Sequence, residues 1–150
     1  MLLSPHFSLT EMTKSAAALR LGIDNSPTPF VVENLRRLAV KVLEPVRARF
    51  GVPFSPSSGY RGPALNRAIG GVARSQHLTG EAVDFEVPGV PNLEVARWVR
   101  DNLGFDQLLL EYWSPVDAGA GWVHCSLTPG GNRKEVLTVG GGVTRKGLPA

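Results

Sequence analysis

The sequence has no long apolar run, only one cysteine and little excess of charge of either sign. None of its apolar stretches approaches the ~20 residues that cross a bilayer, so we predict no membrane insertion. The single cysteine, Cys125, excludes an intramolecular disulfide framework. The first residues lack the basic and apolar segments of a signal peptide, which predicts synthesis in the cytoplasm without such a signal.

The net charge of +3 at pH 7 is mildly basic and suits an anionic polymer, either nucleic acid or bacterial wall. The densest group of basic residues falls on one predicted helix and comprises Arg36, Arg37, Lys41, Arg47 and Arg49. No aromatic residues are interleaved with this group, and no recognised nucleic-acid-binding motif accompanies it. We therefore interpret it as a solvated helix face and predict no nucleic-acid partner.

Length and composition are those of one ordinary globular domain. Hydrophobic residues make up 43% and charged residues 19% of the chain, which excludes a disordered or fibrous protein. A chain of 150 residues buries a core without disulfides. We predict a single monomeric domain over residues 1–150, with a flexible tail from about residue 140, where three glycines precede a basic end.

Helix signals dominate the first half of the chain. Ser8 and Glu11 have the spacing of a capping box, which predicts the start of a helix. Pro45 falls inside a long stretch of helical periodicity and predicts a kink or break there. The predicted helices cover residues 10–21, 31 to a stop at 51, 64–69 and 92–102.

Strand signals follow in the second half, where apolar and polar residues alternate with a period of two. The predicted strands cover residues 82–87, 107–112, 122–127 and 135–139. Helices gathered before strands favour an α+β fold with helices packed on a small antiparallel sheet.

The alternation gives each of the first three strands an apolar face for the helices and a second face with a titratable residue. The titratable residues are Asp84, Glu111 and His124. Trp122 shares the second face with His124, and Tyr112 is expected on the apolar face. Cys125 also falls on the apolar face, so we interpret it as a small core residue. The second faces together predict a cleft lined by the sheet.

A turn that contains Gly80 separates His77 from Asp84. Catalytic zinc sites use three ligands of the histidine and carboxylate type and leave the fourth position to water. The set His77, Asp84 and His124 would meet this requirement. A histidine near an aspartate is more often a hydrogen-bonded pair, so the residues by themselves leave both interpretations open.

Three segments taken together resemble a family of zinc peptidases. The family pattern is S-G-Y-R, then S-x-H-x-x-G-x-A-x-D, then a strand with W-x-H or H-x-H. The matching segments here are 58–61, 75–85 and 121–126. The resemblance is to the zinc D-alanyl-D-alanine carboxypeptidases and dipeptidases, with the phage L-alanyl-D-glutamate endopeptidases, whose fold also occurs in hedgehog signalling domains.

This resemblance implies an enzyme that binds Zn²⁺ and hydrolyses peptidoglycan stem peptides in the bacterial cell wall, as a phage or prophage product. Position by position, it implies the zinc ligands His77, Asp84 and His124. Arg61 matches the arginine that steadies a substrate oxygen near the metal, and Ser75 matches the serine that hydrogen-bonds the substrate. Trp122 is expected to line the substrate groove.

The catalytic base is where the sequence departs from the family pattern. Many members carry a glutamate or aspartate three residues before the last ligand, a position that here is Gly121. Glu111 is the next candidate, because it ends the preceding strand and points to the cleft face. Glu81 and Glu86 flank the metal segment and are the alternatives. The glycine also leaves open a different function, a wall-binding or phage structural module of the same fold with weak or no catalysis.

Overall fold

The predicted capping box forms, but the helix that it begins is short. In the computed structural model, which describes residues 1–150, the Ser8 hydroxyl accepts the Glu11 N–H at 3.2 Å, and the Glu11 carboxylate accepts the Ser8 N–H at 2.8 Å. Helix α1 covers Leu9–Thr13, and α2 covers Ala16–Leu21. The predicted single helix is wrong because the Ser15 hydroxyl caps a new helix start and accepts the Ala18 N–H at 3.1 Å.

The long central helix is interrupted as Pro45 predicts. Helix α3 covers Pro29–Leu38, a π-helical segment covers Ala39–Leu43, and α4 covers Glu44–Phe50. Proline lacks an N–H, and its ring collides with the carbonyl four residues earlier in a regular helix. The wider π turns immediately before Pro45 relieve that collision, so the helix continues to its end at Gly51.

A five-stranded sheet with strand order β3–β5–β4–β6–β7 lies against these helices. Its strands are β3 Ala82–Phe85, β4 Gln107–Glu111, β5 Trp122–Ser126, β6 Glu135–Gly140 and β7 Val143–Lys146. The remaining elements are the hairpin of β1 Leu2–Ser4 and β2 Phe7–Ser8, α5 Pro63–Ala68, a 3₁₀ turn Gln76–Thr79, and α6 Asn92–Asn102. None of the helices is long and apolar enough to cross a membrane.

The sheet differs from the predicted one in two respects. The β4–β6 pair is parallel, because the loop of residues 127–134 crosses the start of β4 before β6 begins beside it. The chain end is not a frayed tail over residues 143–146, since these residues pair with β6 as β7. Gly141 and Gly142 form the two-residue turn of that hairpin, with φ of 57° and 74°, a conformation that glycine adopts without strain.

The helices cover one face of the sheet and leave the other open. The strand residues buried in the core include Phe85, Leu108, Leu110, Val123 and Cys125. Tyr112 does not join them, contrary to the prediction, because β4 ends at Glu111 and Tyr112 takes a left-handed conformation with φ of 55°. Its side chain is 56% exposed and lies against the Trp122 ring on the open side, with ring centroids 5.2 Å apart.

The buried carboxylate of Asp106, just before β4, ties three parts of the chain together. It accepts hydrogen bonds from the Gln76 amide at 3.0 Å and from the Arg133 backbone N–H at 3.0 Å. The Arg133 guanidinium also donates to it twice, at 3.1 and 2.9 Å. These bonds from Arg133 lower the pKa of Asp106 to about 2. Asp106 thereby fixes both the turn before His77 and the loop that leads to β6.

Asp106→Asn should lower the free energy of unfolding at pH 7, and this destabilisation should disappear in acid. The pKa of Asp106 is lower in the folded state than its ordinary value of 3.8, so its ionisation stabilises the fold above about pH 4. That contribution disappears as the pH falls towards 2. We expect about 1 kcal/mol, because Arg133 is exposed and solvent screens the pair. Urea unfolding of parent and variant between pH 2 and 7 measures it.

The exposed Asp101, paired with Arg100 on α6, provides the matched control. Asp101→Asn should change unfolding little at any pH, since exposed ion pairs contribute little. A destabilisation of Asp106→Asn that stays constant down to pH 2 would contradict the electrostatic explanation.

Gly59 permits a close approach between the loop of residues 51–62 and α1. A Cβ at this position would overlap the carbonyl oxygen of Met12, which accepts the Tyr60 N–H at 2.8 Å. The Gly59 carbonyl in turn accepts a hydrogen bond from His77 Nδ1 at 2.7 Å. Glycine is therefore required at position 59, because a side chain has no room there.

Gly59→Ala should lower the free energy of unfolding by about 1–3 kcal/mol, the usual cost of overpacking. Gly104→Ala is the control, because a Cβ there meets nothing within 4 Å and φ lies outside the left-handed region. It should be neutral or slightly stabilising. Denaturant unfolding of both variants tests the pair, and equal stabilities would show that the loop simply shifts.

Candidate metal centre

Three buried side chains from different elements converge on the open face of the sheet. The antiparallel register of β3 and β5 sets Asp84 directly opposite His124, and the 3₁₀ turn supplies His77. His124 Nδ1 lies 2.9 Å from Asp84 Oδ1, and His77 Nε2 lies 3.3 Å from Asp84 Oδ2. One donor atom from each residue lies within 4.8 Å of the other two.

The turn that carries His77 is shaped by its two ends. The Ser75 hydroxyl accepts the His77 N–H at 3.1 Å at the start, and Gly80 closes the turn in a left-handed conformation with φ of 74°. The predicted helices and strands leave this segment without a regular element. The short turn matters for the site, because it points the His77 ring towards β3.

The hydrogen bonding of His77 fixes its tautomer. Its Nδ1–H donates to the Gly59 carbonyl at 2.7 Å, and a neutral imidazole carries only one N–H. Nε2 therefore presents a lone pair to the Asp84 carboxylate. A cation between these atoms would satisfy both, whereas two facing lone pairs repel.

The donor set fits zinc. Zinc–nitrogen and zinc–oxygen bonds of ~2.0–2.1 Å place tetrahedral ligand atoms ~3.3 Å apart, close to the two distances to Asp84. Burial opposes the ionisation of Asp84, but the adjacent His124 and His77 rings outweigh it and hold the pKa of this carboxyl well below its usual range. The site thus offers an anionic oxygen and two imidazole nitrogens, with the second nitrogen of His77 oriented by Gly59 as metal-bound histidines usually are.

Glu111 lies beside this cluster. Its Oε1 is 3.7 Å from His124 Nδ1, and the β4–β5 register places it opposite Trp122. Burial raises the pKa of Glu111, with His124 opposing and the Asp84 charge reinforcing the shift. The two alternative glutamates lie elsewhere: Glu81 accepts the Thr79 hydroxyl at 2.5 Å, and the exposed Glu86 accepts the Asn92 amide at 3.0 Å.

Gly121 has no room for the acidic residue that the family pattern predicts there. Its φ is 77°, and a Cβ at this position would overlap the carbonyl oxygen of Glu111. The Gly121 backbone therefore packs directly on the end of β4. The carboxylate beside the cluster comes instead from Glu111, at the end of β4.

The cluster opens into a cleft of about 580 Å³ on the uncovered face of the sheet. The cleft is lined by the three expected metal ligands, the first candidate base and the three expected substrate-binding residues: His77, Asp84, His124, Glu111, Arg61, Ser75 and Trp122. The Arg61 guanidinium donates to the Ser75 hydroxyl at 3.4 Å, and its backbone N–H donates to the His77 carbonyl at 3.0 Å. The indole nitrogen of Trp122 and the Nε of Arg61 are buried without a hydrogen-bond partner.

Sequence reasoning missed several residues that shape this cleft. Arg74 and Arg133 line it, and Asp106 holds Arg133 in place. Asn25 clamps the loop on both sides of Arg61, since its amide donates to the Tyr60 carbonyl at 3.0 Å and accepts the Gly62 N–H at 2.8 Å. No local pattern marks these residues, because their partners lie far away in the sequence.

Comparison with known proteins agrees with this geometry. A family model described as peptidase M15 matches residues 5–126, a segment that contains the three clustered donors. No curated protein matches the chain. Peptidases of the M15 family are zinc-dependent hydrolases of peptide bonds. Because the match covers most of the sequence, the chain belongs to the peptidase M15 family.

Proposed function

We propose that the protein is a zinc metallopeptidase that hydrolyses a peptide bond in the stem peptides of bacterial peptidoglycan. The observation that carries the proposal is the buried cluster of two histidines and one aspartate at the floor of an open cleft. The volume of about 580 Å³ falls within the ordinary range of ligand sites and suits a short peptide. The family supplies the reaction type, and the cleft supplies a place for the substrate.

His77, Asp84 and His124 would hold the metal through Nε2, a carboxylate oxygen and Nδ1. A zinc ion with three protein ligands polarises a carbonyl group and makes water acidic enough to attack it near neutral pH. The remaining residues of the cleft supply proton transfer and charge balance.

Glu111 is the general base in this proposal. Its carboxylate borders the ligand cluster, so it is placed to accept a proton from the attacking water and to return it to the leaving amine. Arg61 balances the negative charge that develops on the carbonyl oxygen or binds a substrate carboxylate. Ser75 contributes a hydroxyl for hydrogen bonding, and Trp122 forms an apolar wall of the groove.

Loss of the acidic residue at position 121 is the feature that favours a different function, a wall-binding or phage structural module that retains zinc without catalysis. The position of Glu111 argues for the enzyme, because this carboxylate lies within 3.7 Å of one proposed ligand. Turnover of a stem peptide that a chelator abolishes would support the enzyme. Binding to the wall without turnover would support the module.

His77→Ala and His124→Ala should each lose nearly all of one tightly held zinc per chain. Each substitution removes one of three proposed ligands, and the two that remain bind the ion far more weakly. The measurement is elemental analysis after dialysis against metal-free buffer.

The third histidine is the matched control. His6 contacts Glu44 and lies outside the cluster and the cleft, so His6→Ala should retain the parental zinc content. Full zinc retention in either cluster variant would refute the ligand assignment.

Glu111→Gln should bind zinc normally and reduce the catalytic rate by roughly 10²–10⁴-fold, the usual contribution of a general base. Glutamine preserves the shape of the side chain but cannot accept the proton. Stem-peptide hydrolysis by zinc-loaded parent and variant measures the loss.

Glu81→Gln and Glu86→Gln serve as controls, because neither carboxylate lines the cleft. Both should retain nearly parental rates. A functional Glu111→Gln together with an inactive Glu81→Gln or Glu86→Gln would move the base to another residue and leave the metal site intact.

A further inference from the structure

The cleft is lined by charged residues of both signs. Asp84 and Glu111 lie at the metal end, whereas three arginines, Arg61, Arg74 and Arg133, line the cleft as well. Neither Arg61 nor Arg74 forms an ion pair. Arg133 is the one whose side chain is held by a carboxylate, and it is at the opposite end of β4 from Glu111.

The guanidinium of Arg133 is held in a defined orientation but keeps one nitrogen without a hydrogen-bond partner. Its Nε and Nη2 donate to the two oxygens of Asp106, at 3.1 and 2.9 Å. Its Nη1 has no partner at hydrogen-bond distance: the nearest carboxylate oxygen, Glu135 Oε1, is 3.9 Å away and already accepts the Gln107 amide at 2.7 Å. The side chain remains 58% exposed.

The register of the sheet fixes how far this arginine lies from the metal cluster. Leu109 pairs with His124, and Gln107, the residue after Asp106, comes two positions earlier on β4. Two residues of a strand span about 7 Å, so the backbone of Asp106 lies more than that distance along β4 from the position opposite His124. An extended peptide bound along the same floor covers that distance with about two residues.

We propose that Arg133 is a specificity-determining residue that binds a carboxylate of the peptide substrate away from the scissile bond. Asp106 acts through it as a positioning residue, and Arg74 adds unpaired positive charge to the same cleft. This inference rests on the proposed peptidase function and adds to it the requirement for an acidic group at a defined distance from the cleaved bond.

Orientation by Asp106 is what makes Arg133 effective in this role. A free arginine side chain loses rotamer entropy when it binds a ligand, whereas a side chain already held by two hydrogen bonds loses less. A contact remote from the reacting atoms forms equally in the ground state and the transition state. Its loss should therefore raise KM and leave kcat nearly unchanged.

The test compares the zinc-loaded parent with Arg133→Gln and with the control Arg100→Gln. Arg100 pairs through the same two nitrogens with Asp101 on the exposed side of α6, outside the cleft. The substrates are the stem pentapeptide and counterparts in which one carboxyl group at a time is converted to a carboxamide. For the parent, amidation of one particular carboxyl should lower kcat/KM about 10- to 100-fold, the effect of one charge-assisted hydrogen bond.

In Arg133→Gln this preference should vanish through a rise in KM for the acidic peptide, and in Arg100→Gln it should persist. Asp106→Asn should weaken the preference and keep kcat. Arg133→Gln leaves the Asp106 carboxylate unpaired, so the double variant Asp106→Asn/Arg133→Gln provides a form without that charge. A parent that hydrolyses every peptide equally well, or a preference that survives in Arg133→Gln, overturns the inference.

Calorimetric binding of the same peptides to Glu111→Gln, with and without Arg133→Gln, separates the inference from the proposed function. Arg133-dependent preference for the acidic peptide without turnover by the parent would leave the inference standing and refute the peptidase. Equal binding of the acidic and amidated peptides, or no binding of any peptide, overturns the inference. In either case, turnover by the parent would still support the peptidase.

Discussion

The candidate site depends on a single buried carboxylate shared by two imidazoles. A carboxylate removed from water is costly unless it is paired, and Asp84 is hydrogen-bonded to His124 through one oxygen, while its other oxygen faces His77 Nε2 at 3.3 Å. Only one alignment of β3 and β5 gives this arrangement, because a shift of one residue would turn Asp84 into the core and Phe85 into the cleft. The packing of the apolar face therefore sets the geometry of the polar one.

Those parts of the fold that depend on local periodicity could be predicted from the sequence. Alternation in β3, β4 and β5 assigned the cleft face correctly for Asp84, Glu111 and His124, because a period of two needs no knowledge of the partner strand. The cluster of His77 with the other two needed the family resemblance, since nothing local brings a turn residue to a strand. The capping box at Ser8 formed, but the length of its helix did not follow from it, because the competing cap at Ser15 was not weighed.

The features that escaped prediction depend on partners distant in sequence or on backbone conformation. Three glycines before a basic end have the composition of a frayed tail, yet Gly141 and Gly142 make a tight hairpin because β6 offers β7 a free edge. The pair of Asp106 and Arg133 joins residues on either side of β4 and β5, so no motif spans it. In the sequence, Gly121 indicated only that the expected acidic residue is absent, whereas the structure shows the Gly121 backbone packed against the end of β4.

Cys125 follows a proposed zinc ligand directly in the sequence, yet the pleat of β5 turns it into the core. Burial raises the pKa of its thiol to about 12, so the reactive thiolate does not form at neutral pH. Thiolates bind zinc tightly, and a cysteine on the cleft face would compete with the histidines for the ion. The alternation of one strand thus places the only thiol on the opposite face of the sheet from the proposed metal site. Oxidants and thiol reagents reach that sulfur only when the sheet opens, which makes the reactivity of Cys125 a direct measure of unfolding.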